Sequence, residues 1–192
     1  MKKTLIASLA GGLVLFVWSF CAWVVLPLHS SSIKAIPNED AFMSMMQQSA
    51  MSKSVYIFPS NPGMKADEAA ATVWQEKMRR GPTGMLMYNP GGEDPMMTGQ
   101  MVVGFILDVL SALLAAWFLA RSTAVAASYM ARVAYCGMLG IFVSVFEHLM
   151  NWNWMGTPTD FTTGLIVDSI ISWILAGLVI AAIVKSPTQQ TA

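Results

Sequence analysis

Four long apolar runs, at residues 4–28, 101–120, 133–150 and 164–184, constrain what this chain can fold into more than any motif it carries. A helix of about 20 apolar residues crosses the ~30 Å hydrocarbon layer of a bilayer. Within that layer every backbone amide and carbonyl must find its partner inside the protein, and a helix achieves this along its own length. The predicted fold is an all-α membrane protein: a four-transmembrane-helix bundle with a small α+β extracytoplasmic cap inserted between helices 1 and 2. The expected divisions are helix 1 at residues 1–28, the cap at 29–98, helix 2 at 99–120 and a cytoplasmic loop at 121–132. Helix 3 follows at 133–150, an outer loop at 151–162, helix 4 at 163–185 and a cytoplasmic tail at 186–192.

The charges flanking these runs set an orientation. Lys2 and Lys3 precede the first run as in a signal peptide, but the run exceeds the ~7–15 residues of a signal core and lacks an A-x-A-like end, so it reads as an anchor. Lys2, Lys3, Arg121, Arg132 and Lys185 share one side if both termini are cytoplasmic, while residues 151–160 opposite carry no basic side chain. By the positive-inside rule residues 29–98 then face the periplasm of a bacterium, and the chain is a multi-pass protein of the inner membrane. Eleven basic residues balance eleven acidic ones, so no charge surplus points to nucleic acid. The expected partners are the lipid bilayer and other membrane protein subunits. Cys21 and Cys136 fall near opposite faces of the membrane and cannot reach the roughly 7 Å Cα separation that a disulfide needs.

In the cap, turn chemistry and periodicity predict helix, strand, helix, strand. Asn38 is placed to cap a helix that opens with Glu39 and Asp40, and residues 55–58 form the first strand. Asp67 and Glu68 open a second helix that closes with Lys77, Arg79 and Arg80, an order that suits the helix dipole at both ends. Residues 85–88 form the second strand, and Asn61-Pro62-Gly63 and Asn89-Pro90-Gly91 carry type II turn chemistry. Eleven of the sixteen methionines lie between Met43 and Met101. Thioethers are soft ligands for Cu(I). However, Met45 and Met46 share a face with Phe42, and Met85 and Met87 alternate along a strand, so filling of the cap's core is the preferred reading.

Small residues form one stripe on each membrane run. The stripes are Ser8, Gly11, Gly12, Leu15 and Ser19; Gly104, Asp108, Ser111, Ala112 and Ala115; Cys136, Gly140, Ser144 and His148; and Asp168, Ser172 and Ala176. Such stripes mark faces where helices approach closely.

Beside them lie the residues most able to do chemistry. Asp108, Glu147, His148 and Asp168 fall in the outer third of the runs, and His29 stands at the same level. A charge in hydrocarbon costs at least ~2.5–3.5 kcal/mol on insertion scales, so such groups usually face one another or a wet cavity. The four are expected to form one polar intramembrane cluster, with Asp108, about 10 Å deep by helix rise, within hydrogen-bond or one-water reach of His148 or Asp168. One reading has this cluster fix helix register, with Trp152 and Trp154 as interface anchors. A sharper one makes His29, His148, Glu147, Asp108 and Asp168 ligands for Zn, Mn or Fe, although the Glu-x-x-His spacing of di-iron bundles is missing.

Familiar enzymology finds no support. No nucleophile has a visible base, and there is no phosphate loop, dinucleotide glycine pattern or haem-attachment motif. No catalytic residue, no cofactor and no enzymatic activity are expected.

Tyr56-Ile57-Phe58-Pro59, Gly81-Pro82-Thr83-Gly84 and Asn151-Trp152-Asn153-Trp154, with Gly156 and Pro158, resemble motifs of a family of uncharacterised bacterial four-span integral membrane proteins. The resemblance covers the whole chain and implies the bundle-plus-cap architecture, with no activity or site residue. The functional expectation is a non-enzymatic membrane protein acting by association, as an accessory or assembly subunit of a larger bacterial membrane complex, respiratory or photosynthetic. The alternative is a periplasm-facing metal-handling or cation-sensing protein that uses the methionine-rich cap and the outer acid and histidine cluster.

Overall fold

The computed structural model describes residues 1–26, 28–63, 67–122 and 128–185. It is mostly helical and separates into two compact units, Met1–Lys34 with Pro95–Ala192, and Ala35–Asp94. The first contains four helices long and apolar enough to cross a membrane. Helix α1 (Lys2–Phe20) runs on through a wider, π-type turn at Cys21–Val25. Helices α2 (Glu39–Gln48) and α3 (Glu68–Arg80) and strands β1 (Ser54–Phe58) and β2 (Gly84–Tyr88) make up the second unit. Helix α4 spans Thr98–Arg121. Helix α5 (Tyr129–Val143) continues through a second π-type stretch, Ser144–Leu149, into α6 (Met150–Met155), and α7 spans Thr159–Ile183.

The long helices pack in the order α4, α1, α7, α5, and α4 and α5 scarcely meet. Close approach follows from the small residues. A Cβ on Gly12 would stand 2.7 Å from the Val109 Cα, and one on Gly140 would stand 2.5 Å from the Ser169 carbonyl oxygen. Only glycine lets these backbones touch.

The core lies toward the end that holds the start of α1 and the ends of α4 and α7. Ala7, Leu15, Ala112, Ala115, Leu119, Cys136, Ala176 and Ile180 are all buried there. Arg132 is buried at the same end, its Nε donating to the Ala181 carbonyl at 3.2 Å, and the Tyr129 hydroxyl donates to the Leu178 carbonyl at 2.9 Å. Ala181 is in the last turn of α7, where carbonyls lack helical partners and the dipole favours a cation. The opposite end is looser. The upper part of the α4 stripe does not pack as expected: a Cβ on Gly104 would have no neighbour within 4 Å, whereas Ala112 and Ala115 are fully covered. The contrast is local: α1 meets α4 at Phe105, which Phe16 touches edge-on at 5.6 Å between centroids, and at Val109 under Gly12, but leaves the Gly104 face open.

Residues 151–155 are helical where an outer loop is expected. The Asn151 amide donates to the Glu147 carboxylate at 2.7 Å, an i,i+4 pair that carries the helix forward. Gly156 ends it in the left-handed conformation, φ +68°, a common helix stop. Helix α7 then begins at Thr159, so the connection is only residues 156–158. Likewise α4 begins at Thr98, which sets Asp108 about 15 Å along it by helix rise.

In the second unit all four predicted elements are present, and β1 pairs antiparallel with β2 from Ser54 opposite Tyr88 to Phe58 opposite Gly84. Asp67 caps α3, its carboxylate accepting from the Ala70 amide at 2.7 Å. Asn38 does not cap α2 with its side chain; its own φ of 54° starts the helix from a left-handed residue. Among the described residues of this unit Met46 is the buried methionine, while Met43, Met45, Met85 and Met87 are exposed. Two short helices and a two-stranded ribbon enclose too little volume to bury more.

Candidate functional site

At the end remote from the small-residue core, the turn after α1 folds His29 back against α7. The imidazole is 2% exposed, and its Nε2 stands 3.2 Å from Asp168 Oδ2. The other carboxylate oxygen, Oδ1, accepts the indole N–H of Trp18 at 2.6 Å. A carboxylate can only accept, so with Asp168 ionised the His29 proton sits on Nε2. Nδ1 is buried without a hydrogen-bond partner. The ring stacks on Trp23 at 4.0 Å between centroids, and Phe161 meets it edge-on at 6.1 Å.

Glycine makes room for this arrangement. A Cβ on Gly164 would stand 2.7 Å from the Leu28 carbonyl and 3.3 Å from His29 Nδ1. Trp23 belongs to the π-type turn at Cys21–Val25, and turns of this kind are frequent at sites under special demand. His29, Asp168, Trp18, Trp23 and Gly164 thus form one aromatic-walled knot that ties the chain after α1 to α7.

The other predicted site residues are distributed around the same end rather than gathered on one point. His148 Nε2 stands 2.7 Å from the Ser169 hydroxyl, linking the second π-type stretch to α7. Glu147 is exposed and accepts from Asn151. Asp108 lines a groove between α1 and α4 with Phe16, Ser19, Phe20 and Trp23. At about 100° per residue, these α1 positions lie on the side of the helix opposite Trp18, which faces Asp168. Among the described residues no hydrogen bond joins Asp108 to His148 or Asp168; Trp23, which stacks on His29, also lines the Asp108 groove. Among the described residues, no three His, Cys, Asp or Glu side chains stand together as a metal-binding group. The five proposed metal ligands are instead divided among a His29–Asp168 pair, a His148–Ser169 pair, a Glu147–Asn151 pair and a separate Asp108.

Trp152 and Trp154 sit on α6, both exposed, and Trp152 donates its indole N–H to the Thr159 hydroxyl at 3.1 Å. Sequence reasoning missed Trp18, Trp23 and Ser169 as partners of the charged groups. For Trp18 a signal exists: it follows Leu15 by three residues and precedes Ala22 by four, the spacing of one helix face, and both neighbours are buried.

The fold and this site define a class: a chain with four helices of membrane-crossing length and hydropathy, three of them joined at one end by hydrogen-bonded polar side chains. Beyond that class, no family model, curated protein or solved structure matches the chain.

Proposed function

We propose that this chain is an integral membrane protein that works by association, as an accessory or assembly subunit of a larger bacterial membrane complex, respiratory or photosynthetic. It lies in the inner membrane with both termini in the cytoplasm and residues 29–98 in the periplasm. The one-sided placement of Lys2, Lys3, Arg121, Arg132 and Lys185 supports this orientation. The loose, polar end of the four helices is then the outer one.

One observation carries the functional reading. At that end the histidines and acids, Asp108 apart, are engaged in holding the protein to itself: His29 with Asp168, Asp168 with Trp18, His148 with Ser169, Glu147 with Asn151. Hydrogen-bonded polar groups that tie one helix to another, as Asp168 and His148 do, fix a unique packing. A rigid membrane unit with long uncovered sides on α4 and α5 offers surface to neighbours in the bilayer.

The test is the mass of the native particle. Extracted from its own membranes in lipid nanodiscs, the protein is expected to run with at least one other polypeptide in fixed ratio. A sharp peak at the 20.8 kDa monomer with nothing co-purifying would count decisively against association.

A further inference from the structure

The exception among the polar residues is Asp108. Among the described residues it has no hydrogen-bond or ion-pair partner. Its carboxylate opens into a groove of about 540 Å³ between α1 and α4, walled by Phe16, Phe20, Trp23 and Leu107 and floored in part by Gly104. Gly104 precedes Asp108 by one helical turn, and nothing lies within 4 Å of where its Cβ would stand. The groove thus combines an unpaired acid, a missing side chain beside it and an aromatic rim.

We propose that this groove is the seat of a transmembrane helix of a different protein, one that presents a lysine or arginine to Asp108. The proposal rests on the association reading and names the chemistry of the partner.

Three considerations select this occupant. An acid within a membrane helix pairs with an opposite charge or faces water, because an unpaired charge is costly there, and Asp108 finds no such partner in its own chain. Depth separates the sources of positive charge: counted from Met101, where the apolar run begins, Asp108 lies about 10 Å in, below the level of a lipid head-group amine. A second copy of this chain does not fit either. The basic residues of its four spans, Lys2, Lys3, Arg121 and Arg132, all lie at the end remote from Asp108. What remains is a basic side chain carried to that depth on another helix, and a small residue beside the acid is what close helix approach requires.

The test uses the full chain in phosphatidylcholine vesicles and two synthetic Leu/Ala transmembrane peptides. They are identical except that one carries a single arginine about 10 Å inside the outer end of its apolar run; association is read by fluorescence transfer. The arginine peptide is expected to associate about tenfold more strongly than its leucine twin, in the upper range for polar pairing between membrane helices. Asp108→Leu, and Asp108→Asn should the first variant fold poorly, is expected to abolish the difference. Gly104→Leu, which keeps the acid but fills the groove, is expected to do the same. Equal association of the two peptides would overturn the proposal, as would an arginine preference that survives in Asp108→Asn. Self-association of the wild-type chain that Gly104→Leu abolishes would make the occupant a second copy and also overturn it. The two readings fail separately: a native complex with no arginine preference leaves association standing without this groove. A native monomer that binds the arginine peptide leaves the groove standing without the complex.

Discussion

His29 and Asp168, 139 positions apart in the chain, meet through Nε2 and Oδ2 at 3.2 Å with the histidine almost wholly enclosed. Asp168 also holds the Trp18 indole. One carboxylate on α7 therefore fixes both the last full stretch of α1 and the turn that leaves it. Its removal orphans a buried donor, His29, and a half-buried one, Trp18, and an orphaned buried group costs more than an average hydrogen bond contributes.

Asp168→Leu is accordingly expected to destabilise the protein by about 1–3 kcal/mol. Asp168→Asn should cost less, because the amide oxygen still accepts from Trp18 and its N–H₂ can donate to His29 Nε2 in the other tautomer. Thermal unfolding in detergent checks both. In a double-mutant cycle with His29→Leu the two sites should be coupled by about 0.5–3 kcal/mol, and additivity would show that the contact contributes nothing.

A pair of glycines separates close approach from open space. Gly164→Ala is expected to destabilise by about 1–3 kcal/mol, since the new Cβ meets the Leu28 carbonyl and the His29 ring. Gly104→Ala meets nothing. It should leave stability unchanged or raise it by up to about 1 kcal/mol through helix propensity. Melting curves in one detergent give the comparison, and equal losses at the two positions would contradict the packing described.

Much of this architecture is legible in the sequence, because its signals are local. The four spans announce themselves by length and hydropathy, and the small α+β unit by Asp67, by the basic end of α3 and by alternation along two short strands. What depends on tertiary geometry is not legible. Nothing local says that Asp168 pairs with Trp18 and His29 while Asp108 lines a groove, since both aspartates sit beside small residues. Gly104 looks like a packing glycine because the α4 stripe is periodic over its whole length, whereas α1 meets the helix at Phe105 and Val109 and leaves Gly104 uncovered. Asn151 and Trp152 look like loop residues because they are polar or interfacial, yet the Glu147–Asn151 pair extends the helix to Met155. The methionines look like core because their spacing is regular, but the unit that holds them has almost no interior.

Arg132 is a third site of interest, read from the sequence only as a topology marker. Buried with its Nε on the Ala181 carbonyl at 3.2 Å, it should be poorly replaced by lysine, which lacks the planar fork of donors. Arg132→Lys and Arg132→Leu are each expected to destabilise by about 1–3 kcal/mol, with the leucine worse. Hydrogen exchange should show the loss concentrated in the last turns of α7.

Orientation is open to a direct check. Reporter fusions at Arg121 and at Gly92 are expected to give cytoplasmic and periplasmic signals respectively. A cytoplasmic signal at Gly92 would reverse the membrane sidedness of every polar group at the loose end.

The central claim is that the polar groups at this end hold the fold, while Asp108 alone is directed outward to a partner. The most direct measurement is a paired one on Asp108→Leu and Asp168→Leu, each expressed in the native membrane and read for melting temperature and for particle mass in lipid nanodiscs. The account predicts that Asp108→Leu melts like the wild type but loses the co-purifying polypeptide, whereas Asp168→Leu melts clearly lower. An Asp108→Leu protein that unfolds early, or that keeps its partner in full, would contradict it.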